Sequence, residues 1–129
     1  MVEQLEYKFG FEKLEVWQSA MDLSKFVYSI TEKFPQSELY NLTSQMRRAA
    51  ISIPSNIAEG SCKSSLKEQA KFSEIAFGSL MELLCQLILS NEQNYLHANN
   101  YNLCREKIEQ LSRQLNAYKN SQIRRMDNV

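Results

Sequence analysis

Residues 65–91 read SLKEQAKFSEIAFGSLMELLCQLILSN, a run without proline and with one glycine, Gly78. Phe72, Ala76, Leu80, Leu83 and Leu87 recur at spacings of four and three, the seam of an amphipathic helix. Ile75, Leu84 and Ile88 lie beside that seam. Ser65 opens the segment, and Glu68 follows at the spacing where each side chain satisfies a free backbone donor of the other residue. The pattern predicts a helix over about 65–91. Around Leu80–Leu89 the apolar surface covers most of the circumference. A helix in a lone bundle needs a narrower stripe, so the excess points to another subunit. The same run contains Glu82 and Gln86 and is shorter than the roughly 20 residues that span a bilayer, so no membrane partner is expected.

The flanking segments read the same way. Val16, Ala20, Leu23, Val27, Ile30 and Phe34 form one face of a helix placed at about 12–34, widened by Trp17, Met21 and Tyr28 and stopped by Pro35. Met46, Ala50, Ile53 and Ile57 make the seam of a second helix over about 42–59. Pro54 interrupts its donors while the apolar spacing continues in phase, so this helix is expected to bend there rather than stop. Gly60 is expected as its left-handed C-terminal cap. Tyr101, Cys104, Ile108, Leu111, Leu115 and Tyr118 keep a heptad rhythm over about 100–120. Residues 1–11 read as an arm pinned by Phe9 and Phe11, and residues 121–129 as a fraying tail. Four amphipathic helices with short connectors predict an all-α fold. The simplest such arrangement is an antiparallel up-down-up-down four-helix bundle.

Composition narrows the function classes. Lys+Arg and Asp+Glu both number 15, so net charge makes no case for nucleic acid or an anionic membrane. Cys62, Cys85 and Cys104 form no CxxC pair, and His97 is the lone histidine, which speaks against a zinc site. Three reduced thiols and an N-terminus without a long apolar run predict a cytoplasmic protein. Glu-x-x-His metal motifs, Gly-rich phosphate loops and nucleophile elbows are absent from the text. No catalytic residue, metal or cofactor is therefore expected.

Residues 42–60 read LTSQMRRAAISIPSNIAEG. Leu14-Glu15-Val16-Trp17-Gln18, Phe34-Pro35, Glu38-Leu39-Tyr40, and Phe72, Gly78-Ser79 and Glu82-Leu83 accompany that stretch in order. Together they resemble the four-helix-bundle proteins encoded in intervening sequences of bacterial 23S rRNA genes, often labelled ribosomal proteins. That family includes the accessory proteins of diversity-generating retroelements. The resemblance covers about Phe11 to Tyr118. It implies a bundle without enzymatic activity and a homo-oligomer, pentameric by likeness to the retroelement proteins. It also implies RNA or a nucleic-acid enzyme as a partner.

Two groups of residues become candidates. Arg47, Arg48, Lys63, Lys67 and Lys71 fall in one basic segment, and Lys119, Arg124 and Arg125 in another. They offer phosphate a binding surface if the fold brings them together, and are ordinary solvated helix faces if it does not. Pro54, Ser55, Asn56 and Glu59, with Gly78, Met81, Leu84 and Ile88, are candidates for a subunit interface. The bland reading of the first four is that they satisfy carbonyls freed at Pro54 and cap the helix end. Gly78, mid-helix, is expected to permit a close helix approach, within the bundle or between subunits.

Overall fold

The computed structural model describes residues 6–128. Among them stand four α-helices and no strand: α1 (Glu15–Thr31), α2 (Leu42–Ser61), α3 (Leu66–Glu92) and α4 (Ala98–Asp127). Single 3-10 turns at Gly10–Lys13 and Gln36–Glu38 precede α1 and α2. Each helix packs on two others, α1 on α2 and α4, and α3 on α2 and α4. The seams meet in one core that includes Leu23, Met46, Ile53, Leu80, Leu83 and Leu111, all with 1% exposure or less. Full burial of each such side chain stabilises by roughly 1.5–3 kcal/mol, which makes this core the main source of stability.

α1 is shorter than its apolar spacing suggests. Leu14 is extended and separates it from the turn before, and the helix ends at Thr31, ahead of Pro35. Phe34 still reaches the core and meets the Tyr95 ring at 5.4 Å. Of the two arm aromatics only Phe11 is pinned, edge-on to Trp17 at 5.2 Å. Phe9 stays 61% exposed and meets the Tyr7 ring edge-on instead.

α2 runs unbroken through Pro54. The proline nitrogen cannot donate to the Ala50 carbonyl, which is left free in a buried stretch. That carbonyl accepts instead from Ser24 Oγ of α1, at 2.8 Å. The group that answers Pro54 thus comes from the neighbouring helix, not from the polar residues around the proline. Asn56 donates to the Ser52 carbonyl at 2.7 Å, two residues on from the freed one.

Gly60 is not the left-handed cap that the sequence suggests. It lies inside α2, no described glycine has positive φ, and Cys62 closes the helix in right-handed geometry. Its value is steric, since α3 crosses there. A Cβ on Gly60 would stand 2.6 Å from the Phe72 Cβ. Ser65 caps α3, its Oγ accepting from the Glu68 N–H at 3.3 Å, but the expected return bond from the Ser65 N–H to the Glu68 side chain is not formed.

α4 continues past the expected end, so residues 121–127 are helical rather than a fraying tail. The reason is packing. Gln122 is fully buried, and its Oε1 accepts from Ser73 Oγ of α3 at 2.8 Å. Cys104 sits in the core, where burial pushes its thiol up to about 12, against a smaller opposing pull from Lys107.

Candidate functional site

The exposed surface offers three regions where residues of one chemical kind gather. The first is a groove between α1 and α2, enclosing about 570 Å³. Trp17, Met21 and Tyr28 line it from α1, and Ile51, Pro54 and Ala58 from α2. Trp17, packed against the edge of the core, and Met21 are half-buried, and Tyr28 is exposed, so these residues widen the apolar stripe and also line the groove. Lys25 stands on the rim. Arg47 is held close by: its Nε donates to Thr31 Oγ1 at 3.0 Å and its guanidinium lies 4.8 Å over the Tyr28 ring. That stacking fixes the side chain at little further entropic cost.

The second region is the outer face of α3. Ile75 is 43% exposed, Met81 37% and Leu89 48%, with exposed Gly78, Glu82 and Cys85 between them. By length and composition α3 holds a stretch apolar enough to cross a membrane, and 28% of that stretch is buried within the molecule. The apolar content thus extends over more length than Leu80–Leu89 alone. Ile75, Met81 and Leu89 are the apolar residues of that stretch left exposed. Leu84 and Ile88 are half-buried, and Leu84 leans on the core. Gly78 does not serve helix packing within the chain: a Cβ there would meet nothing within 4 Å.

The third region is the end of the bundle where α2 gives way to α3 and α4 finishes. The Ser73–Gln122 bond sets the start of α3 beside the end of α4. Lys67 and Lys71 are exposed on the first turns of α3, and Arg124 and Arg125 are exposed on the last turns of α4, with Lys119 one turn earlier. Lys63 lies at the corner, its ammonium 5.2 Å over the Phe72 ring, and its carbonyl accepts from Gln69 Nε2 at 2.8 Å. Arg125, Tyr118, Gln69, Glu59 and Phe11 line one cleft at this end, which encloses about 790 Å³. Burial raises the Tyr118 phenol above its ordinary value, and the nearby Arg125 charge and Gln122 partly offset that rise. Arg47 and Arg48 do not join this gathering. They stand near the start of α2, against the end of α1, about 20 Å along the helix from Ser61.

The remaining interface candidates divide. Pro54 is buried at the floor of the groove, Ser55 lies exposed on its rim, and Glu59 is exposed beside the end cleft. Asn56 is half-buried and satisfied within its own helix. Ser52 and Ser79 share a hydrogen bond of 2.8 Å between α2 and α3. Among the described residues no group of three or more His, Cys, Asp or Glu side chains gathers as a metal ion would require. The groove residues Lys25 and Tyr28, and the ridge residues Ile75 and Leu89, were not among the site candidates drawn from the sequence, although Tyr28, Ile75 and Leu89 belong to the apolar stripes read there. Their signal was the excess width of the apolar stripes on α1 and α3.

The model of a family described as 23S rRNA-intervening sequence protein matches residues 12–117. Among solved structures, a protein of unknown function from the S23 ribosomal protein family of Bacteroides thetaiotaomicron superposes with a TM-score of 0.73. It is 17% identical, and the match covers 81% of this chain and 97% of that one. At that identity the likeness concerns the fold. No curated protein matches.

Proposed function

Because this chain belongs to the 23S rRNA-intervening sequence protein family, we propose that it is a non-enzymatic bundle that associates with copies of itself. In that assembled form it acts as a scaffold or adaptor for a protein or nucleic-acid partner. The observation that carries this reading is the outer face of α3, where Ile75, Met81 and Leu89 stand exposed around a glycine. Grouped apolar residues on one helix face mark an interaction surface more strongly than scattered ones do. An antiparallel run of neighbouring helices, with α2 bent at Pro54, belongs to the same reading. Paired contacts support it: Ser24 with Ala50 and Thr31 with Arg47, and Asp22 with Lys107 and Glu15 with Gln114, each run in opposite senses along their helices. A ring, pentameric by family likeness, is the expected assembly. Multi-angle light scattering at micromolar concentration tests this. A mass several times that of one chain is expected, and a clean monomer overturns it.

The gathering of cations at the α3–α4 end favours a second reading, binding of structured RNA. Lys63, Lys67, Lys71, Lys119, Arg124 and Arg125 share that end. Phosphate contacts of this kind weaken steeply with salt. A gel shift with a ribosomal RNA fragment at two salt concentrations tests it. If Lys67, Lys71, Arg124 and Arg125 can all be changed to alanine without loss of affinity, this surface is not the binding site.

A further inference from the structure

Glycine weakens a helix interior, so a mid-helix glycine calls for a reason. Gly60 has one inside this chain, the Phe72 side chain pressed against it. Gly78 has none, because a Cβ there would meet nothing within 4 Å. It forms a notch on the exposed ridge of α3, one turn from both Ile75 and Met81 or Glu82.

The α1/α2 groove is the complement of that ridge. It is apolar along its floor, from Trp17 to Tyr28 on one wall and from Ile51 to Ala58 on the other. Its surroundings are cationic: Lys25 on the rim, Arg47 fixed over Tyr28, and exposed Arg48 one turn before Ile51. The ridge carries the opposite charge, with exposed Glu74 and Glu82. Among the described residues none of these five charged side chains has an ion-pair partner, the pairs being Lys107–Asp22 and Arg113–Glu109. Lengths agree as well. Trp17 to Tyr28 spans about 16 Å of helix and Ile75 to Leu89 about 21 Å, so the ridge is long enough to fill the groove.

The geometry points to the α3 ridge of one copy seating in the α1/α2 groove of a second copy, with Gly78 admitting the closest approach. Glu74 and Glu82 then face Lys25, Arg47 and Arg48, which orients the pair more than it adds affinity. This inference rests on the self-association proposed above and specifies its two faces. Ridge and groove are different patches, and α1 and α3 do not pack on each other. Each contact is therefore head-to-tail and leaves one ridge and one groove unfilled, until the chain of copies closes into a ring.

Two variants of the full chain separate the faces. Gly78→Leu fills the notch, and Ile51→Arg places a charge in the groove. Both sites are exposed, and circular dichroism melting checks that each variant folds; Leu89→Arg serves as a second ridge variant. Light scattering is expected to find each variant alone monomeric, and an equimolar mixture to give a one-to-one pair and nothing larger. Raising salt tenfold is expected to weaken wild-type association several-fold. If wild type assembles and either variant alone assembles equally well, the faces are misassigned while self-association stands. A mixture that stays monomeric also overturns the pairing. A wild-type monomer that binds phosphatidylcholine vesicles assigns the ridge to lipid and overturns both readings.

Discussion

Gly60 and Phe72 approach so closely that the two helices leave no room for a methyl group: a Cβ on Gly60 would lie 2.6 Å from the Phe72 Cβ. The obstructing atom is the root of a side chain, which cannot swing away as a flexible tip would. Gly60→Ala is therefore expected to destabilise the protein by about 1–3 kcal/mol, because α3 must shift along its contact with α2. The small helix-propensity gain of alanine does not offset that strain. Thermal unfolding checks this, with a fall of several degrees in Tm expected. An unchanged Tm would show that the α2–α3 crossing yields easily.

Gly78 is expected to behave in the opposite sense. Its Cβ position is open, so Gly78→Ala should stabilise the isolated chain by up to about 1 kcal/mol. The measurement belongs in the Ile51→Arg background, where association does not contribute. Urea unfolding should find a higher midpoint at unchanged slope. A lower midpoint would mean that the glycine backbone has a role inside the chain.

Ser24 and Pro54 are coupled through the Ala50 carbonyl. Ser24→Ala leaves that buried acceptor unsatisfied and is expected to cost about 1–3 kcal/mol. In a Pro54→Ala background the helix can supply its own N–H to Ala50, and the cost of losing the serine hydroxyl should fall. A double-mutant cycle by chemical denaturation reads the difference. Additive effects would disconnect the two residues.

The cysteines should separate by reactivity. Cys62 and Cys85 are exposed and Cys104 is buried. In the Ile51→Arg background, where no second copy covers the ridge that carries Cys85, an aromatic disulfide reagent at pH 8 is expected to titrate two thiols quickly in the native state and the third only on unfolding. Cys104 also links stability to alkaline pH. Burial raises its folded value from 9.0 to about 12, so the core holds the neutral thiol. Below pH 9 both states keep the proton and the full stability is present. From pH 9 towards 12 the unfolded chain alone loses it, and stability falls by up to about 4 kcal/mol. Cys104→Ala should flatten that part of the stability profile relative to wild type. Identical slopes would place the linkage elsewhere.

Much of this fold was legible in apolar spacing. Leu80, Leu83 and Leu87, and Ile108, Leu111 and Leu115, are buried where their periodicity put them. Helix ends were less legible because tertiary contacts decide them. Nothing local marks residues 121–127 as helical; the Ser73–Gln122 bond from α3 holds them. Among the glycines, Gly60 and not Gly78 gives the close approach within the chain, for a similar reason. Steric closeness depends on which helix crosses at that turn, and spacing along one chain does not reveal it. For the candidate surfaces, excess apolar width showed that α3 has an uncovered face. The groove of α1 and α2 was hidden, because Trp17, Met21 and Tyr28 read equally well as core.

The serine that answers Pro54 has a geometric consequence. Two packed helices can slide past one another by a turn and still interleave their side chains, so apolar packing alone sets their axial position weakly. A buried helix normally offers no distinguishing polar mark along its length, since every inner carbonyl is already engaged. Pro54 releases a single one, at Ala50, and Ser24 grips it at 2.8 Å. A slip of one turn would strand the Ala50 carbonyl away from water, while the Ser24 hydroxyl would fall back on the Ala20 carbonyl of its own helix, 3.0 Å away. The proline thus works as a ruler mark and the serine as its pointer, locking α1 and α2 at one offset. The depth and length of the groove between them are fixed by that same offset.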